Sequence, residues 1–290
     1  MKRMRWAVAV GLLGIVFAVL VLWRVWPKEP AYNGRSLSHW LDEWGNAYND
    51  RTHPATIAIR AIGSNGLPIL LARISKDQSP EFWRIVGKAL PNDWNPFSRD
   101  AYHAVTAAEA INLLGVEAKP AFPTLTNLFS GRGHHLTAAI GLAGIGHEGV
   151  AVLLQALTNQ DWAPRFSAAT ALGEAGSDFD KVVPALIQVV KIGGTNTEAR
   201  LFRGAAANAL VELHQEPELV VPVFSEFLAS PDADMRAWGA TVLGRLGADA
   251  NAAVPLLLKL RTDEDGDVRE SAERALKEID PEAAEKPLLK

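Results

Sequence analysis

Residues 234–247 read DMRAWGATVLGRLG, and residues 267–280 read DVRESAERALKEID. In the second stretch Val268, Ala272, Ala275, Leu276 and Ile279 recur at spacings of four and three, one apolar stripe of a 3.6-residue helix. Met235, Gly239, Val242, Leu243 and Leu246 form the equivalent stripe one unit earlier. Both stretches predict thin amphipathic helices. Neither can bury its apolar side alone, so each needs a neighbour stacked against it.

The same ending, an apolar residue and then a turn residue, returns along the chain at Gly63, Gly115, Gly146, Gly176, His214, Gly247 and Asp280. The steps between these closing residues are 52, 31, 30, 38, 33 and 33, and all but the first suit two-helix solenoid units. Glycine there supplies the left-handed cap that lets the chain reverse. The first helix of a unit often opens with proline, at Pro68, Pro123, Pro184, Pro222 and Pro255, where a missing N–H in the first turn is no loss. Small residues at Ala138-Ala139, Ala168-Ala169 and Ala205 to Ala207 permit close helix approach, and Glu270, Glu273, Arg274 and Lys277 give the last helix the polar outer face of a terminal cap. The expected fold is all-α, an α-α superhelix of about seven units over residues 31–290.

The segments Asp234 to Ala240 and Asp267 to Ala272 resemble the D-x-R-x-x-A opening of the second helix in HEAT repeats, and in particular the bilin-lyase-like HEAT subgroup. Asp161 to Arg165 is a looser version, and the units closing at Gly115 and Gly146 lack the arginine. The resemblance covers roughly residues 36–280 and is specific for fold rather than function. It implies that Arg165, Arg203, Arg236 and Arg269 pair with Asp161, Asp234 and Asp267 in a ladder within the repeats. The alternative use of these arginines is to line the inner surface for an acidic peptide.

Ahead of the repeats lies a different kind of segment. Trp6 to Trp23 form an uncharged run of 18 residues, which as a helix spans roughly 27 Å, close to the thickness of a bilayer core. Its eleven Leu, Ile, Val and Phe residues favour insertion by about 3–7 kcal/mol. No small-residue cleavage site follows, so residues 1–30 read as an uncleaved signal anchor and residues 6–23 as one transmembrane helix. Lys2, Arg3 and Arg5 favour a cytoplasmic N-terminus with the repeat domain on the other side, periplasmic if the source is bacterial.

Two departures from the array stand out. Residues 75–100 interrupt the repeat with Phe82, Trp83, Trp94 and Phe97, rings that either anchor a partner or pack down on the solenoid. Leu37, Trp40, Leu41 and Trp44 follow helical spacing just after the anchor and are expected to cap the core of the first repeat. The preceding Tyr32 to Ser36 reads as a turn and N-cap.

Composition narrows the functions open to such a chain. The five basic residues before Glu29 leave 24 basic against 33 acidic residues, and an acidic body argues against nucleic acid as a partner. Lack of cysteine excludes disulfides and thiolate chemistry. The metal-dependent hydroxylases that resemble this chain in fold use several His-Glu dipeptides. Here only His147-Glu148 occurs, and His103, His134 and His135 are not spaced to converge with it. No phosphate loop or nucleophile elbow appears. The expectation is therefore a non-catalytic scaffold without cofactor or metal, tethered to the membrane and holding a protein or peptide on the concave face of the solenoid. A HEAT-type enzyme or a bilin-lyase-like factor is the alternative. Alignment of the second helices places Trp238, Thr241 and Arg245 on that face, with their equivalents Ser167, Thr170 and Glu174, and Ala205, Asn208 and Glu212. Trp83 and Trp94 join them as partner-binding candidates.

Overall fold

The computed structural model describes residues 29–44, 52–75, 96–131, 133–192 and 196–285, with side chains described from Tyr102 onward in the helix that opens at Pro96. The predicted anchor, and Phe82, Trp83 and Trp94 of the interruption, lie outside the described residues, as does the side chain of Phe97.

The described chain opens with a two-stranded antiparallel hairpin, β1 (Ala31–Tyr32) and β2 (Arg35–Ser36), paired Ala31 to Ser36 and Tyr32 to Arg35. Asn33 and Gly34 both take positive φ, the geometry a two-residue hairpin turn needs. Ser36 Oγ then accepts from His39 N at 3.3 Å and caps α1 (Leu37–Trp44).

Helix α1 buries Leu37, Trp40, Leu41 and Trp44, and Trp44 Nε1 donates to Thr56 Oγ1 at 2.8 Å. Thr56 belongs to α2 (Pro54–Ile62), so the stripe read after the anchor caps the first repeat. The array continues as α3 (Leu67–Ser75), α4 (Pro96–Leu114), α5 (Phe122–Ser130), α6 (His135–Gly144), α7 (His147–Ala156) and α8 (Trp162–Ala171). It closes with α9 (Phe179–Lys191), α10 (Thr197–Leu213), α11 (Pro217–Phe227), α12 (Ala233–Arg245), α13 (Val254–Leu260), α14 (Gly266–Ile279) and the short α15 (Pro281–Ala284). Odd-numbered helices are the first members of the pairs and even-numbered helices the second. Their apolar stripes merge into one continuous core that runs from Leu37 to Ala283.

Pro54–Ser75 has a mean hydropathy of 1.4 and, by length and composition alone, could cross a bilayer. Gly63, at φ 59°, breaks it into two solenoid helices, and half of its most apolar window is buried in the array.

Left-handed turns close most units where the periodicity places them. Gly63, Gly115 and Gly247 have φ near 60°, and His214 adopts φ 48° with its Nδ1 against the Val211 carbonyl. After α8 the left-handed residue is Asp178 rather than Gly176. Helix α9 starts directly after it, at Phe179, five residues ahead of Pro184, which therefore lies inside the helix. Likewise α11 starts at Pro217, leaving Pro222 inside. Pro68, Pro123 and Pro255 stand at the second residue of α3, α5 and α13, as expected.

The arginine ladder differs from expectation. Arg165 Nη1 donates to the Asn159 carbonyl at 3.2 Å, Arg236 Nη1 to Ser230 and Pro231 at 3.0 and 3.2 Å, and Arg269 Nη1 to Asp263 and Glu264 at 2.7 and 3.0 Å. Side chains on a helix lean toward its N-terminus, so an arginine in the first turn reaches the carbonyls of the loop it has just left. Asp161, Asp234 and Asp267 do not pair with these arginines. Arg236 instead grips Asp263 of the next unit in a two-pronged pair at 2.8 and 2.9 Å. The helix N-termini are capped by Asp232 and Asp265, whose Oδ1 atoms accept from Asp234 N and Asp267 N.

Second helices pack directly on one another from α4 through α6 and α8 to α10, and again from α12 to α14, whereas successive first helices touch far less. An array crowded along one side and spread along the other curves toward the crowded side. The second helices therefore line the inner, concave face.

Candidate functional site

Counting back six residues from the closing residues gives Glu109, Thr170, Asn208, Thr241 and Arg274, with Ile57 and Ile140 in the other two units, and counting back two gives Glu174, Glu212, Arg245 and Glu278, with Ala61, Leu113 and Gly144 in the others. The two positions lie near one another on a helix and mark the inner line of the array. Asn208, Glu212, Glu174, Thr241 and Arg245 are exposed there, and Glu109 and Thr170 are half-buried. Arg245 Nη1 donates to Asn208 Oδ1 at 2.5 Å, tying α12 to α10 across the face. Asn112 Nδ2 donates to the Ile140 carbonyl at 3.1 Å and reaches the Glu174 carbonyl at 3.4 Å. The threonines are less available, because Thr170 and Thr241 donate back to Phe166 and Ala237 one turn earlier at 3.0 and 2.9 Å.

Ser167 and Ala205 do not share this exposure: they are 5% and 7% exposed, closed into the seams between second helices. Those seams are tight because small residues meet in them. A Cβ on Gly173 would lie 2.9 Å from Ala209 Cα, and one on Gly244 would lie 2.9 Å from Ala275 Cα. At the corresponding positions between α10 and α12 stand Val211 and Val242. Two branched side chains in place of a glycine-alanine contact hold α10 and α12 apart, and these two helices touch far less than their neighbours do.

Trp238 sits at this wider seam, in the position that Ser167 and Ala205 occupy elsewhere. Its ring packs against Phe224 and Phe227 of α11, with centroids 5.6 and 5.3 Å away, and the Arg203 guanidinium lies 6.0 Å from its centroid. The tryptophan thus fills part of the gap and stays half-buried, with surface left over for contact.

Electrostatically the inner face is carboxylate-rich. Glu174 is pushed up to about 7, first by burial and then by the charges of Glu109 and Glu212. It keeps surface exposure, yet it lies inside the curve, where protein on several sides displaces water. Burial also raises Glu109 and Glu212, while Arg245 draws Glu212 back down. Near neutral pH the Glu174 carboxyl is therefore only partly ionised, and the patch offers acceptors to a donor-bearing partner. The sequence reading named Glu174 and Glu212 but missed Glu109 and Asn112. Extending the same count to Gly115 finds Glu109, whereas Asn112 reveals its role only through contacts made across α6.

The histidines serve separate local ends. His147 Nδ1 meets Asp178 Oδ2 at 2.5 Å, His135 Nδ1 meets the Phe129 carbonyl at 2.7 Å, and His103 lies 3.5 Å from Asp42. His134 is buried at the start of α6. Glu148 pairs with Lys119 at 2.7 Å instead of joining His147. Among the described residues no group of three or more His, Asp or Glu is arranged to hold a metal ion.

Residues 194–277 match the family model described as HEAT repeats, and this match, spanning α10 to most of α14, supports a HEAT-repeat protein. Two engineered proteins with crystal structures from the Northeast Structural Genomics Consortium are similar to the chain. One is 24% identical with a TM-score of 0.35, covering 61% of this chain and 92% of its own. The other is 19% identical with a TM-score of 0.35, covering 86% of this chain and 68% of its own. No curated protein matches the chain.

Proposed function

We propose that the protein is a membrane-tethered, non-catalytic scaffold that holds a protein or peptide partner on the face lined by its second helices. The observation that carries this reading is the group of polar side chains Glu109, Glu174, Glu212, Asn208 and Arg245 along the second helices, interrupted only at α6. These residues come from helices whose other sides are closed into the core, and an array of thin helices does not need polar side chains gathered along its inner line. The uncharged run at residues 6–23 supports the tether, with the repeats on the extracytoplasmic side. The finer kinship with bilin-lyase-like HEAT proteins rests on the openings at Asp234 and Asp267 and adds no chemistry of its own to this face.

The test is retention. The full chain, solubilised with its native membrane, is captured by a tag, and partners retained by wild type are compared with those retained by Glu212→Lys and Asn208→Arg. Both positions are exposed, so the substitutions leave the core intact. Loss of the same partner from both variants is expected; equal retention would remove the inner face from the function.

A further inference from the structure

Helix α10 begins at Thr197, six residues ahead of Arg203, whereas α8, α12 and α14 begin three residues ahead of Arg165, Arg236 and Arg269. The carbonyls that hold those three arginines lie in loops. At the same offset from Arg203 stand Thr197 and Glu198, whose carbonyls face N–H groups one turn further along the helix. Arg203 is thereby released from the capping role and turns toward the Trp238 ring. Arg200, one turn earlier on the same helix, is exposed. Among the described residues neither Arg200 nor Arg203 forms an ion pair with a carboxylate.

These two arginines form one wall of a cleft of about 290 Å³ between the N-terminal halves of α10 and α12, two helices that pack loosely on one another. Asp232 and Asp234 form the opposite wall, and Met235 and Trp238 the floor. Asp232 spends one oxygen on its own helix cap, and Asp234 is exposed. The space equals roughly ten waters, room for one large side chain with its neighbours at the rim.

We infer that this cleft binds an extended peptide segment carrying an acidic and a basic side chain on either side of an apolar one; the inference deepens the scaffold reading and rests on it. The acidic side chain lies between Arg200 and Arg203 and relieves the repulsion of two cations one turn apart. The apolar side chain stacks on Trp238, with Met235 as the adaptable part of the floor. The basic side chain meets Asp232 and Asp234. Charge on both walls is what selects this occupant, since a free phosphate would be repelled by the aspartates and a purely basic peptide by the arginines.

The test is a selection of random short peptides displayed on phage against the full chain in detergent micelles. Enriched sequences are expected to place an acid, an apolar or aromatic residue and a base within about five positions. Binding of the resulting synthetic peptides should weaken at least tenfold against Arg200→Glu/Arg203→Glu, and a peptide with its acid exchanged for lysine should recover that binding. Trp238→Leu, which keeps an apolar side chain against Phe224 and Phe227, should also weaken binding without lowering helicity by circular dichroism. Absence of enrichment, or enriched peptides indifferent to the charge reversal, overturns the inference. If the selection fails while Glu212→Lys still releases the native partner, the cleft assignment falls alone and the scaffold reading stands.

Discussion

Replacing Glu174 with glutamine removes the carboxyl that the inner face holds at about 7 while keeping its shape. A group whose folded value lies above its unfolded one binds more protons in the folded state, so wild-type stability falls as pH rises from about 4.5 to about 7 and then levels off. Glutamine has no proton to lose, so the variant escapes that fall. The groups facing Glu174 are Glu109 on α4 and Glu212 on α10, with Arg245 on α12 acting on Glu212; from α6 the nearby positions are Ile140 and Gly144, which carry no charge. A rise of this size would be worth about 3 kcal/mol for a fully shielded carboxyl. Glu174 is exposed, and solvent screening cuts the expected gain to about 1 kcal/mol. Thermal melts of wild type and Glu174→Gln at pH 4.5 and pH 8 check this. The two proteins should coincide at the lower pH, and the variant should melt about 2–4 °C higher at the upper one. A difference that does not change with pH, or a Glu174 carboxyl titrating near 4.5 by NMR, would refute the reasoning.

Other perturbations probe the array itself. Gly244→Ala places a methyl 2.9 Å from Ala275 Cα in the close seam between α12 and α14 and should cost about 1–3 kcal/mol in denaturant melts, while alanine at exposed Gly176, with open space around it, should cost far less. The Asp178 carboxyl is lowered to about 2 by hydrogen bonds from Lys181, Ser177 and His147, so its stabilisation is present above pH 4 and is lost as pH falls toward 2. Asp178→Asn should therefore lower the melting point at pH 7 and flatten the acid limb of the stability profile. Arg236→Ala leaves Asp263 and two loop carbonyls without their donor and should speed local opening between α12 and α14, read as faster amide exchange in residues 263–268, whereas Arg269→Ala should leave Asp263 paired.

How much of this was legible in the sequence depends on how local each feature is. The helical stripes at Val268 to Ile279 and Met235 to Leu246 require only near neighbours; the first is buried as read, and so is the second except for Met235, which is half-buried beside the cleft. The stripe of Leu37, Trp40, Leu41 and Trp44 is equally local and caps the first repeat. The arginines show where locality ends. The HEAT resemblance implies pairs with aspartates within a unit, but helix geometry aims the arginines at the preceding loop, and Arg236 finds Asp263 in the following unit. The wider seam between α10 and α12 was hidden for a similar reason. Val211 and Val242 look like ordinary core residues until each is compared with Gly173, Ala209, Gly244 and Ala275 in neighbouring units. Alignment of the second helices puts Ser167 and Ala205 on the open face as equivalents of Trp238, although only the spread seam leaves room at that position. Counting back from Gly115 places Glu109 on the inner line, but its effect on Glu174 appears only when α4, α8 and α10 are brought side by side.

Recognition along the inner line is the central claim, and site-specific photo-crosslinking in the native membrane tests it most directly. A photoreactive residue at Asn208 or Thr241, on second helices, is compared with one at Gln188 or Lys259, exposed on first helices. The account predicts one common crosslinked species from both inner positions and none of it from the outer pair. The same species from all four positions, or from the outer pair alone, would contradict it.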